Sequence, residues 1–121
     1  MIQKVIERFQ DEPFEWGHSD CCQFVGACIE AVTGENLALL VDYENQDDAR
    51  ALIDEAGGLD VVVSSVLGDA VDAAPKNNDV VMVNIDGDPA VGFVWKDVVL
   101  LRTERGLVDW PLETVELVWH L

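Results

Sequence analysis

The sequence predicts an α+β domain, in which helices of the N-terminal half pack on a C-terminal antiparallel sheet of about five strands. Hydrophobic residues recur with helical spacing in the first half, whereas the second half alternates strand-forming segments with short turns. Helices that precede strands favour an α+β fold over an alternating α/β fold. A length of 121 residues with 50% hydrophobic side chains is enough for one core. We therefore expect a single domain over residues 1–121.

Two helices are predicted in the first 34 residues. The apolar residues of segment 2–9 recur at i, i+3, i+4 and i+7, and Pro13 ends this pattern. A second helix should begin after Ser19 or Asp20, which are both good N-caps, and end at Gly34. Its buried stripe is predicted to consist of Phe24, Val25, Cys28, Ile29 and Val32.

The remaining segments are predicted from the same signals. A third helix should cover about 47–56 and end at Gly57-Gly58. Segment 59–67 is ambiguous, because its valines favour a strand while its apolar spacing also fits a helix. Strands of an antiparallel meander are predicted at 79–85, 90–95, 98–102, 107–110 and 115–119.

The charge balance excludes some classes of partner. The chain has 24 acidic and 7 basic residues, a formal net charge of −17. Seven cations are too few to neutralise a row of phosphates. We therefore expect no nucleic-acid binding and no attraction to anionic membranes. The acidity either serves solubility or suits a basic partner surface.

The chain shows no targeting signal or membrane span. No stretch approaches the roughly 20 apolar residues that a membrane-spanning helix needs, and the N-terminus lacks the apolar core of a signal peptide. We therefore expect synthesis and folding in the cytoplasm. The three cysteines lie within eight residues and have no distant partner, so reduced thiols are expected.

One cysteine lies where a nucleophile would be activated. A helix that begins near Asp20 places Cys21 in its first turn, where free N–H groups and the helix dipole stabilise a thiolate. The alternative is that Cys21, Cys22 and Cys28 are small core residues, since free cysteine is often buried.

The segment around Cys21 resembles a known enzyme family. Its pattern Trp-Gly-x-x-Asp-Cys-x-x-Phe, residues 16–24, is similar to the nucleophile segment of NlpC-type, papain-like cysteine peptidases. The chain is more closely similar to short NlpC-like proteins encoded among phage and prophage tail genes. This resemblance covers residues 13–121 and includes Pro13-Phe14, Thr33-Gly34, Gly57-Gly58, Asp79-Val80-Val81, Ala90-Val91-Gly92 and Gly106-Leu107.

The resemblance implies a nucleophile without its usual partners. It makes Cys21, after Asp20, the nucleophile position. Where the peptidases have the base in His-Val-Gly, this chain has Ala90-Val91-Gly92, and alanine cannot accept a proton. The third polar residue would come from 98–101, which is entirely apolar. His18, three residues before Cys21, is the remaining candidate base.

No cofactor or metal is expected. His18, Cys21, Cys22 and Cys28 are possible zinc ligands, but they lack a second, distant ligand pair. Cys28 should also lie two helical turns, about 10 Å, from Cys21, too far to share one ion with it.

Two functions follow from the resemblance. The first is a structural or adaptor component at a phage tail tip or baseplate, incorporated in the virion and docked on tail proteins with basic surfaces. The alternative is an active cysteine amidase or endopeptidase that cleaves peptidoglycan stem peptides during phage entry, with Cys21 as nucleophile and His18 or a partner's residue as base. A soluble binding module unrelated to phage is a third hypothesis.

Overall fold

The computed structural model describes residues 2–35 and 37–121 and has the expected α+β architecture. The helices are α1 (Ile2–Asp11), α2 (Cys21–Thr33), α3 (Gln46–Ala56) and α4 (Leu59–Leu67). The strands are β1 (Val80–Ile85), β2 (Asp88–Trp95), β3 (Val98–Thr103), β4 (Gly106–Trp110) and β5 (Val115–Trp119). A single 3₁₀ turn, Leu112–Thr114, joins β4 to β5.

The five strands form one antiparallel sheet, in the order β4-β3-β2-β1-β5. The prediction of a simple meander holds for β1 to β4 and is wrong for β5, which pairs with β1 at the opposite edge. Turn signals between strands are local, whereas the choice of a pairing edge depends on long-range packing, so the sequence pattern could not show it.

The two faces of the sheet belong to two separate apolar clusters. One apolar cluster joins the helices to one face of the sheet. The other consists of strand residues from the opposite face, with Leu112 packed against it. The face of the sheet opposite the helices therefore buries its own side chains.

Helix α2 is the element that positions the candidate site, and its predicted bounds are confirmed. Asp20 caps its N-terminus, and Gly34 ends it in the left-handed conformation at φ 82°. Four of the five predicted stripe residues are buried, but the prediction for Val32 is wrong, because it is 37% exposed. Val32 lies in the last turn of the helix, where the helix passes beyond the core.

The ambiguous segment 59–67 is a helix. Leu59, Val62 and Val63 are buried against the main core, at the spacing of one helical face. The local valine content favoured a strand, but this packing overrides the preference.

Candidate functional site

Cys21 is the first residue of α2 and is half-buried. The carboxylate of Asp20 fixes the turn in front of it. One oxygen accepts the N–H of Gln23 at 3.0 Å, and the other accepts the N–H of Gly17 at 2.7 Å and the hydroxyl of Tyr43 at 2.6 Å. These three bonds hold the buried carboxylate as a cap. Asp20 is thus a positioning residue at the helix start.

Hydrogen bonds to sulfur favour the thiolate of Cys21. The Cys22 thiol is the strongest influence and lowers the pKa of Cys21, as do the backbone N–H groups of Val91 and Cys22. Burial and the negative charge of Asp20 oppose them, yet the net pKa of Cys21 lies below its ordinary value. The direction agrees with the sequence-based expectation, but the stabilising groups include a neighbouring thiol and strand β2, not the helix start alone.

The other two cysteines are core residues. Cys22 and Cys28 are buried. The pKa of Cys22 is raised by its hydrogen bond to Cys21 and by burial, and burial raises the pKa of Cys28. Only Cys21 among them combines partial exposure with a lowered pKa.

Two clefts meet at Cys21. The first, about 310 Å³, lies between α2, α3 and the 37–43 segment. The second, about 320 Å³, lies between segment 14–21, the β1–β2 hairpin and the β3–β4 turn. Residues that line both clefts are Trp16, Asp20, Cys21, Gln46, Asp88 and Pro89. A ligand lying across the junction would therefore pass over the sulfur.

The second cleft contains Ala90, the position at which the resemblance to NlpC-type peptidases would place the base. Ala90 lines this cleft together with Cys21, and the backbone of the next residue, Val91, helps to lower the pKa of the Cys21 thiol. The position is therefore close to the thiol, but its methyl group can neither accept nor donate a proton.

Neither histidine lines the clefts. His18 is exposed in the turn before α2. The side chain of His120 is 33% exposed and bonds through Nδ1 to a carboxylate oxygen of buried Asp79 at 2.7 Å. Since Val91 pairs with Met82, Asp79 lies three residues, about 10 Å, further along the sheet. The structure brings Cys21 and Asp20 together and brings neither histidine into the clefts.

The described residues add two findings about partners. No group of three or more His, Cys, Asp or Glu side chains that could hold a metal ion occurs among residues 2–35 and 37–121. Within the same ranges, every helix is too short or too polar to span a membrane.

Sequence analysis missed two residues of the site. Tyr43 completes the Asp20 network from 23 residues away, and burial, together with its bond to Asp20, raises the pKa of its hydroxyl. Arg102 lines the second cleft from β3. The one signal that could have identified Arg102 was its position as a charged residue in the otherwise apolar strand 98–102.

The chain belongs to a family described as a domain of unknown function (DUF6950), which it matches over residues 1–121. No curated protein matches the chain.

Proposed function

We propose that this protein is an NlpC-type, papain-like domain that does not hydrolyse peptides and serves as a structural or adaptor component of a phage tail tip or baseplate. The observation that carries the absence of hydrolysis is the set of side chains around Cys21. Two clefts converge on an activated thiol, yet neither histidine lines them in the described part of the chain.

Amide hydrolysis needs more than a thiolate. The leaving amine must be protonated as the tetrahedral intermediate collapses, and a general acid normally supplies this proton. Tyr43 does not suit this task, because its hydroxyl already donates to Asp20. Cys21 can therefore attack, but within residues 2–35 and 37–121 no histidine lines the clefts to protonate the leaving amine.

The role in a tail rests on the resemblance and on charge. A net charge of −17 on 121 residues strongly favours association with a basic surface and repels other acidic domains. Arg8–Glu12 and Arg50–Asp88 are the Lys or Arg ion pairs within the described ranges, so most carboxylates remain available to a partner.

A peptidoglycan digest tests the absence of hydrolysis. Purified peptidoglycan is incubated with the protein and with Cys21→Ala, and new amino termini are counted. We expect equal, background levels. Release by the unmutated protein alone would reject the proposal.

Mass spectrometry of purified particles of the encoding phage tests the location. The protein is expected at a fixed ratio to the tail proteins. Its absence from intact particles would reject the tail role without bearing on catalysis.

The alternative, an active amidase or endopeptidase, is favoured by one observation. The thiol of Cys21 has a lowered pKa and borders clefts on both sides, as a peptide-cleaving nucleophile requires. The base would have to be His18, after movement of its turn, or a residue of a partner. The same digest, repeated with His18→Ala, identifies this case, because activity would depend on His18.

A further inference from the structure

Arg102 is a buried cation without an anionic partner. It is 4% exposed at the end of β3. Its Nε donates to the carbonyl oxygen of Ser19 at 2.8 Å, and its Nη2 donates to that of Glu12 at 2.7 Å. No carboxylate lies within 4 Å of its nitrogens in the described ranges. This is unexpected in a chain that carries 24 acidic residues.

Two carbonyl oxygens satisfy only part of this guanidinium. The group carries five N–H donors and a charge that persists at any physiological pH. Burying an unpaired charge is costly, and neutral dipoles offset the cost less well than a carboxylate does. The site is therefore organised to receive a negative charge.

The guanidinium borders the second cleft, which also contains Cys21. Its central carbon lies 5.7 Å from the centre of the Phe14 ring, and Phe14 packs edge-on against Trp16 at 5.1 Å. Both rings line the same cleft. The cleft that contains Arg102 and Cys21 thus has an aromatic surface, which suits the flat, partly apolar backbone of a peptide.

The acidic residues of this cleft are engaged or exposed. Asp20 is held by its three hydrogen bonds. Asp88 lies 3.9 Å from Arg50, and Glu104 is exposed on the β3–β4 turn. These carboxylates repel any anion, but they repel a phosphate dianion more strongly than a single carboxylate.

We propose that the second cleft binds a peptide through one of its carboxylates, which pairs with Arg102 while the chain lies on Phe14 and Trp16 and reaches Cys21. The planar fork of an arginine matches a carboxylate in two parallel hydrogen bonds. The carboxylate is either a chain end or an acidic side chain. This binding does not depend on whether the bound peptide is hydrolysed.

Charge-selective alkylation of the full chain tests the subsite. Iodoacetate carries the carboxylate that Arg102 should attract, and iodoacetamide is its neutral counterpart. We compare the ratio of their rate constants at Cys21 with the ratio for a small free thiol at the same thiolate fraction. The −17 charge should depress the ratio, whereas the arginine should raise it by about tenfold. An iodoacetate-to-iodoacetamide ratio that is equal or higher in Arg102→Met, at the same thiolate fraction of Cys21, would overturn the proposal.

Substitutions of Arg102 and of a nearby arginine test whether Arg102 causes the preference for iodoacetate. Arg102→Met should abolish the preference for iodoacetate, whereas Arg102→Lys should keep part of it. Arg105→Met is the matched control, because Arg105 is exposed on the same turn and does not line either cleft. An equal loss in Arg105→Met would show a general charge effect and overturn the proposal.

A competition experiment on the unmutated protein covers the case in which Arg102→Met does not fold. Acetyl-Ala-Ala, its C-terminal amide and acetyl-Asp-amide are each added during alkylation by iodoacetamide. Protection by the first identifies a chain-end carboxylate, and protection by the third an acidic side chain. Protection by neither, or equal protection by the neutral amide, would overturn the proposal.

Discussion

Helical phase separates the roles of two adjacent cysteines. Successive residues of a helix point about 100° apart. Cys21 consequently borders the clefts, whereas Cys22 turns into the core and is buried. The buried thiol still acts on its neighbour, because it donates a hydrogen bond to the Cys21 sulfur.

Alkylation should modify Cys21 before the other two thiols. Its lowered pKa means that its labelling rate, which rises with pH as the thiolate forms, should reach half-maximum at a lower pH than the rate of an unperturbed cysteine thiol. Brief iodoacetamide treatment at several pH values, followed by peptide mapping, measures this. Earlier labelling of Cys22 or Cys28 would contradict the assignment.

Replacing Cys22 tests whether its S–H group lowers the pKa of Cys21. Cys22→Ala removes the S–H group that lowers the pKa of Cys21, so the midpoint of Cys21 labelling should move to higher pH. Cys22→Ser keeps a donor at the same place and is the matched control. Equal midpoints in both variants would mean that the Val91 and Cys22 amides suffice.

Ala90→His introduces a base where the resemblance to NlpC-type peptidases would place one. Because Ala90 lines the cleft that contains Cys21, the imidazole should lower the pKa of the thiol further and speed its alkylation at neutral pH. Peptide hydrolysis should rise weakly at most, since Val98–Leu101 supplies no residue to orient the ring. Release of amino termini is compared with Ala90→His combined with Cys21→Ala. Strong hydrolysis would show that an orienting group exists.

At the scale of elements, the sequence predicted correctly those helix bounds that depend on interactions between neighbouring residues. The bounds of α2 follow from Asp20 and Gly34, whose cap geometry depends on a few neighbouring residues. The helical state of 59–67 and the position of β5 depend on contacts with distant segments, Val71 with Val118 among them. Periodicity alone could not determine them.

Two glycines allow a matched test of the packing within the sheet. A Cβ at Gly92 would lie 2.7 Å from a Leu101 methyl, 2.8 Å from a Val99 methyl and 2.9 Å from the Leu100 carbonyl oxygen. Gly92→Ala should therefore destabilise the domain by about 1–3 kcal/mol, as overpacking does. Urea unfolding followed by tryptophan fluorescence measures the change.

Gly26 is the matched control for this substitution. A Cβ there would lie 3.7 Å from the nearest carbonyl oxygen, an ordinary contact, and Gly26 is interior to α2. Gly26→Ala should raise the free energy of unfolding by up to about 1 kcal/mol, because alanine favours the helix. Unchanged stability in Gly92→Ala would show that β3 stands further from β2 than described.

At the scale of the whole molecule, the site is assembled from segments that lie far apart in sequence. Cys21 and Asp20 were predicted, because a capped helix start is a local pattern. Tyr43 and Arg102 join them only through the fold, the latter from 83 residues beyond Ser19. A single sequence carries no record of such contacts, so the network around Asp20 and the cation in the second cleft could not be predicted.

The net charge of the domain predicts its response to salt. Few of the 24 carboxylates have Lys or Arg partners in the described ranges, so mutual repulsion should destabilise the isolated protein. Raising sodium chloride to about 0.5 M shortens the Debye length to less than 5 Å. The melting temperature should therefore rise by several degrees, measured by circular dichroism at constant pH. Chloride is preferred to sulfate, which strengthens apolar burial by itself.

Glu55→Gln separates repulsion from a general salt effect. Glu55 is exposed in the last turn of α3, where the helix dipole disfavours a negative charge. The variant should melt at a higher temperature than the parent in low salt, and the difference should shrink at 0.5 M, because salt already screens the charge that the variant removes. A melting temperature of the parent that does not rise with salt would contradict the repulsion argument, because it would mean that specific ion pairs stabilise the carboxylates. The seven basic residues could pair with only a minority of the 24 carboxylates.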